Sequence, residues 1–206
     1  MAEKLNQGMI MKALDYGYDK AVNGLPELET AEELAQDYMH RDGSLQDNAK
    51  KLVRWQIAKA GTSGFITGLG GLITLPVAIP ANVASVLYVQ IRMIAAIAAM
   101  GKHDIRNDQV KTLVYMCLCG SAITDLIKDV GIHVGSKLTV TAINKISGAT
   151  ITKINQAVGF RLLTKFGQTG AVNLGKAIPF VGGVIGGTVD SVATKTIGKV
   201  SINTFL

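Results

Sequence analysis

The chain has 206 residues, 48% of them hydrophobic and only 17% charged, with a mean hydropathy of +0.30. Soluble domains average about 25% charged residues, so disorder is excluded: there is ample apolar surface to offset the entropy of ordering. With 23 glycines, 4 prolines and 2 cysteines, the chain is neither collagen-like nor a disulfide framework. Tightly packed helices, in water or at a membrane, suit this composition.

The formal net charge of +6 is unevenly spread. Residues 1–60 hold 8 Lys/Arg against 10 Asp/Glu, whereas residues 61–206 hold 13 against 5. No acidic residue occurs between Asp129 and Asp190, and Lys137, Lys145, Lys153, Arg161, Lys165 and Lys176 lie in that gap. A basic face without acidic partners attracts anionic surfaces. The plainer reading is a solvated face that keeps the protein soluble. The basic residues are spread singly with few aromatics among them, so sequence-specific nucleic-acid binding is not expected. The first residues, Met-Ala-Glu-Lys-Leu-Asn-Gln-Gly, lack the apolar run of a secretory signal. Together with the two free-standing cysteines, this points to a cytoplasmic setting.

In chain order, the first sixty residues read as amphipathic helices. Leu5, Met9, Met11, Ala13, Leu14, Tyr18 and Val22 approximate one stripe, which Gly24-Leu-Pro26 ends. Thr30 and Glu33 form a capping-box pattern that opens a helix from Ala31 to His40. Ser44 or Asp47 caps a third, bearing Leu52, Trp55, Ile57 and Ala58.

The character changes at Gly61, where thirty-one uncharged residues run to Ile91 before Arg92 interrupts. A bilayer span needs about 20 apolar residues, so the length suffices. Yet the run holds Pro76 and Pro80 and several glycines, and an Arg near a helix centre costs roughly 2.5–3.5 kcal/mol on insertion scales. The preferred reading is a helical hairpin within an all-α fold. Gly64, Gly68, Gly70 and Gly71 would allow close packing, and a helix over 81–100 would be apolar on nearly every side. Such a helix belongs at the centre of a compact multi-helix structure.

After a polar link, Asp104 or Asp108 would cap a helix over about 109–130. Residues 137–167 keep a rough helical spacing, though Thr139, Val140, Thr141 and Thr150, Ile151, Thr152 also favour strand. The last segment carries glycine pairs four apart (Gly182, Gly183, Gly186, Gly187). It reads as a glycine-faced helix ending near Phe205. Residues 64–80 and 174–187 are faintly alike. No long linker is visible, and one domain, with an acidic N-terminal part over 1–60 and an apolar basic part over 61–206, is the expected organisation.

Three runs carry a resemblance: Gly64-Phe-Ile-Thr-Gly-Leu-Gly-Gly-Leu, Leu75-Pro-Val-Ala-Ile-Pro-Ala-Asn, and Tyr88-Val-Gln-Ile-Arg-Met-Ile-Ala-Ala-Ile-Ala. With Leu52…Gln56-Ile-Ala-Lys-Ala60 and the closing Ile178-Pro-Phe-Val-Gly-Gly-Val-Ile-Gly-Gly…Asp190, they resemble the EcsC protein family from about residue 45 onward. The family is mostly bacterial and takes its name from a protein encoded beside an ABC transporter. The resemblance implies a helical protein, cytoplasmic or membrane-associated, with a transporter component as one conceivable partner. It supplies no catalytic residue to carry over.

Chemistry-bearing motifs are scarce. The glycine-rich run lacks the pattern and the following Gly-Lys-Ser/Thr of a nucleotide cradle. His40, His103 and His133 have no partners at metal-ligand spacing, and Cys117 and Cys119 point about 200° apart on a helix, as buried structural thiols. No cofactor or metal is expected, and catalysis is not the favoured reading. Arg92 is the most informative residue. Buried, it must be paired or hydrogen-bonded. Asp125 or Asp190 would complete an internal ion pair; alternatively Arg92 with Gln90 meets a lipid phosphate or carboxylate. The leading expectation is peripheral binding to anionic membranes through residues 130–189 and the hairpin at 61–80. A soluble lipid or small-molecule carrier and a protein–protein adaptor are the alternatives.

Overall fold

The computed structural model describes residues 6–26, 28–60, 81–130, 140–174 and 182–206. Of these it describes side chains except at residues 59, 60, 81–83, 130, 142, 166–174 and 182–190. The hairpin at 61–80 with its glycines and prolines, Lys137, His133, Lys176 and most of the faint internal similarity therefore lie outside the described residues. So do the surroundings of Gly182, Gly183, Gly186, Gly187 and the side chain of Asp190.

The fold is all-α, as expected. Helix α1 spans Gln7–Asn23, α2 Ala31–Met39, α3 Leu45–Ala60, α4 Ala81–Met100 and α5 Asp108–Cys117. A 3-10 turn at Gly120–Ala122 leads into α6, Ile123–Val130, followed by α7 Val140–Asn144, α8 Gly148–Leu174 and α9 Gly182–Phe205. There is no strand among the described residues beyond an isolated Leu25–Leu28 bridge. No helix among them is long and apolar enough to cross a membrane.

Helix α4 is the axis of the structure. Its twenty residues make a rod about 30 Å long. Ala84, Ser85, Leu87–Ala98 and Met100 are all buried. A helix apolar all round must be covered all round. α1, α2, α3, α5 and α9 each pack against it. Outside this shell, α8 packs on α1, α5 and α6. One contiguous apolar cluster runs from Ile10 to Phe205.

Local chemistry sets the ends. Gly24 closes α1 at φ +94°, a conformation that a Cβ would strain. The capping box on α2 is complete: the Thr30 N–H donates to the Glu33 carboxylate (2.8 Å) and the Glu33 N–H to the Thr30 hydroxyl (3.1 Å). Ser44, of the two expected candidates, caps α3 by accepting from the Asp47 N–H at 3.1 Å. α5 is capped by Asn107, whose side chain accepts from Gln109 and Val110, and not by Asp104 or Asp108. The helix expected over 109–130 is broken because Gly120 adopts φ +59°, which turns the chain between α5 and α6. Thr141, Thr150 and Thr152, strand-favouring by type, lie in helices, and Ser147 opens α8 by accepting from the Thr150 N–H; Thr139 lies outside the described residues.

Two close approaches lock α9 in place. A Cβ on Gly198 would sit 2.6 Å from both methyl carbons of Val53 on α3, so these helices touch backbone to side chain. At its C-terminal end, a Cβ on Gly101 would lie 2.3 Å from the Phe205 carbonyl oxygen. That explains an inverted order at the end of α4. Lys102, and not the glycine, takes the left-handed position (φ 62°) of a Schellman turn, in which the Lys102 and His103 N–H groups reach back to Ala99 and Ala98. The buried His103 ring stacks edge-on against Phe205 and donates from Nε2 to its carbonyl at 3.2 Å, while Nδ1 has no partner among the described residues. On the opposite side, the Tyr18 hydroxyl donates to the Ile105 carbonyl at 2.7 Å and the Tyr115 hydroxyl to Asp15 at 2.9 Å. Burial raises both phenols far above their ordinary range.

Two outcomes follow from this packing. Gly198→Ala should cost about 1–3 kcal/mol by overpacking. In denaturant unfolding, the double variant with Val53→Ala should lose less than the sum of the single losses; strict additivity would mean the helices do not meet there. Burial lowers the His103 pKa below its ordinary 6.5. The unfolded chain therefore takes up the proton first, and stability should fall as pH drops below about 6.5 until the folded-state pKa is passed. His103→Gln should flatten that part of the pH–stability curve; an unchanged slope would assign the acid loss to other groups.

Candidate functional site

Arg92 lies in the middle of α4 and is 1% exposed. Tyr88 is one turn earlier on the same helix face, so ring and guanidinium are neighbours, with Cζ 5.8 Å from the ring centroid. The face points at α3 and at the segment entering α2. Nη1 donates to the Glu29 backbone carbonyl at 3.1 Å, and Nη2 lies 3.4 Å from Oε1 of the fully buried Gln56. Among the described residues no carboxylate forms an ion pair with Arg92. Asp125, one of the two expected partners, is exposed on α6. Among the described residues the guanidinium therefore meets neutral acceptors only, and the side chain of Asp190, the other expected partner, lies outside them.

Gln90 does not join this cluster. Two residues away on a helix means about 200° of rotation, and its amide donates instead to the Thr194 hydroxyl on α9 at 3.0 Å. The residue that does join is Gln56, and its signal in the sequence was weak: one amide within an otherwise ordinary amphipathic helix.

The basic residues between Asp129 and Asp190 divide. Lys145, Lys153 and Lys165 are exposed. Arg161 is half-buried and paired with Asp129 at 3.3 Å, so an acid from just outside the gap neutralises it. On α8 the residues Lys153, Gln156, Phe160 and Thr164 fall within an arc of about 80°. Phe160 is 64% exposed there, beside a shallow groove lined by Gln7, Asp129, Lys153, Gln156 and Ala157. A large aromatic standing in solvent on an acid-free helix face is the unexpected feature of this stretch.

A second such surface lies in the N-terminal part, where net charge alone pointed to nothing. Trp55 is 51% exposed, and Tyr38, Arg41, Lys51, Arg54 and Ala58 line the groove beside it. The Arg41 guanidinium stacks 3.8 Å from the Tyr38 ring centroid and pairs with Asp37. The exposed Met39 and Leu45 flank the turn between α2 and α3. Summing charge over sixty residues hid this corner, because the ten acids of 1–60 outweigh its basic residues in the total.

The remaining reactive groups are quiet. Cys117 and Cys119 are free thiols, and burial pushes them up to about 12 and about 11 respectively. No cluster of His, Cys, Asp or Glu among the described residues is arranged to hold a metal. His40 is exposed and bonds only to the Gln36 carbonyl of its own helix.

Residues 15–206 match the EcsC protein family, nearly the whole chain. The chain belongs to the EcsC family. The match begins inside α1, well before residue 45, where the sequence resemblance was expected to start. No curated protein and no solved structure matches the chain. In this EcsC protein the run from Tyr88 to Ala98 is the buried half of α4, so that part of the resemblance is a packing constraint that includes one charge.

If both thiols are structural, iodoacetamide at pH 7 should leave Cys117 and Cys119 largely unmodified in the native protein and label both after denaturation. Rapid native labelling would show that the α5–α9 contact opens readily.

Proposed function

We propose that this EcsC protein associates peripherally with anionic membrane surfaces, at the inner face of the cell membrane, and that it does so without catalysis. The observation that carries this reading is Phe160, 64% exposed on the α8 face that also presents Lys153. An exposed aromatic ring beside a lysine suits the boundary between headgroups and acyl chains: the ring removes apolar area from water while the ammonium group approaches phosphates. Each Lys near such a surface contributes roughly 1 kcal/mol, and burying a Phe side chain about 1.5–3 kcal/mol. Lys145 and Lys165 add charge from the same region. The Trp55 corner, with Lys51 and Arg54, offers a second contact of the same kind.

Flotation with liposomes tests this. Binding is expected to vesicles containing phosphatidylglycerol and not to neutral phosphatidylcholine, and to weaken as salt rises from about 0.05 to 0.5 M, where the Debye length shortens severalfold. Phe160→Ala and Lys153→Glu should each reduce binding about tenfold with unfolding midpoints little changed. Equal binding to both vesicle types, or none to either, would contradict the proposal.

A further inference from the structure

The environment of Arg92 is chemically one-sided. A guanidinium offers five N–H donors. Two are engaged, by the Glu29 carbonyl and the Gln56 amide oxygen, and Nε has no hydrogen-bond partner among the described residues. Two further buried atoms beside it make no hydrogen bond of ordinary geometry to a described residue: Nε2 of Gln56, and the hydroxyl of Tyr88, which lies near enough to the guanidinium for Arg92 to favour its ionised form against the larger opposing effect of burial. Arg92, Gln56 and Tyr88 are each no more than 1% exposed. All three unpartnered atoms are donors, or donate readily, and they belong to residues that touch one guanidinium.

Magnitudes make this arrangement informative. Burying an ion carries a large desolvation penalty, and each buried donor left without a hydrogen bond adds to it. Two hydrogen bonds to neutral acceptors and one cation–π contact at 5.8 Å return only part of that. An apolar residue at this place in α4 would avoid the penalty altogether. Among the described residues, what the cluster lacks is a single species, negatively charged and rich in acceptors.

We propose that Arg92, Gln56 and Tyr88 form a buried receptor for a phosphate group. The guanidinium supplies the charge and, through Nε and its remaining Nη hydrogens, a fork that a phosphate oxygen pair can meet. The Gln56 amide and the Tyr88 hydroxyl supply the flanking donors. α3 and α4 each contribute part of the site, so occupancy would tie them together and stabilise the fold. Inorganic phosphate and a lipid headgroup phosphate present the same acceptors to these donors. This site is distinct from the exposed face carrying Phe160 and stands or falls separately from it.

The test is thermal unfolding of the full chain in phosphate-free buffer at constant ionic strength. It is titrated in one arm with inorganic phosphate and in the other with monomeric dihexanoyl-phosphatidylglycerol, with chloride as control. The midpoint is expected to rise with the logarithm of concentration in at least one arm. A rise in the first arm identifies free phosphate, and a rise only in the second identifies the headgroup. Arg92→Met and Gln56→Leu should weaken the response about tenfold or more. Tyr88→Phe gives the sharpest sign. Without ligand it should unfold at an equal or higher temperature, because a buried unpartnered hydroxyl is removed, yet it should respond less to ligand. No rise in either arm overturns the proposal. So does a clearly lowered midpoint for ligand-free Tyr88→Phe, which would mean that the hydroxyl is already partnered within the chain. A third contrary result concerns two acids whose side chains lie outside the described residues: Asp190, one of the expected partners of Arg92, and Glu27, two positions before Glu29 in the chain. If Glu27→Gln or Asp190→Asn destabilises as much as Arg92→Met, and the double variant is no worse, the guanidinium is paired internally.

Discussion

Helix α4 has no side it can leave in water, and the rest of the fold is arranged around that fact. Along a rod of about 30 Å, residues on every face are buried, so α1, α2, α3, α5 and α9 must all reach it. The constraint explains why glycines appear where helices close on one another. Gly198 lets α9 settle against Val53, and Gly101 lets the end of α9 cross the end of α4. It also explains why a lysine holds the left-handed position after α4: the glycine next to it is needed for contact and not for conformation.

The same burial makes Arg92 the most consequential polar residue in the protein. A charge in the middle of the least accessible helix carries a large desolvation cost, and the described surroundings return neutral acceptors only. By contrast, Lys153 and Lys165 on α8 are exposed, and the half-buried Arg161 is paired with Asp129. The two features divide the labour proposed for the molecule. A surface of aromatic and basic side chains meets a charged interface, and an interior cluster is reserved for one phosphate group.

Much of the architecture was legible from periodicity and capping. The boundaries Ala81–Met100 for α4 and Phe205 for the end of α9 agree with the expectation, because prolines, glycines and a long uncharged run mark them strongly. The capping box at Thr30 was equally plain. The break at Gly120 was not, since a lone glycine inside a helical pattern is usually tolerated, and only its positive φ shows that the chain turns there. Asn107 was passed over for two nearby aspartates, which are equally good caps by residue type.

The sites were legible in part. Arg92 stood out as an isolated charge, but its neighbours Gln56 and Glu29 lie 36 and 63 residues away in the chain, a distance no local pattern spans. Gln90, adjacent in sequence, turns to another helix. The acid-free stretch pointed to α8, yet Asp129 reaches in to neutralise Arg161, and the exposure of Phe160 depends on tertiary packing. The Trp55 corner was hidden because charge was summed over residues 1–60, where acids elsewhere outweigh Lys50, Lys51, Arg54 and Lys59.

The central claim is that α4 is the innermost element, on which the other helices depend. Hydrogen exchange read by mass spectrometry tests it most directly. Peptides covering residues 85–100 should be the slowest in the chain, exchanging only through global unfolding and with a free energy equal to that from denaturant melts. If those amides exchange faster than the ones of α1 or α3, α4 is not the core around which this protein is built.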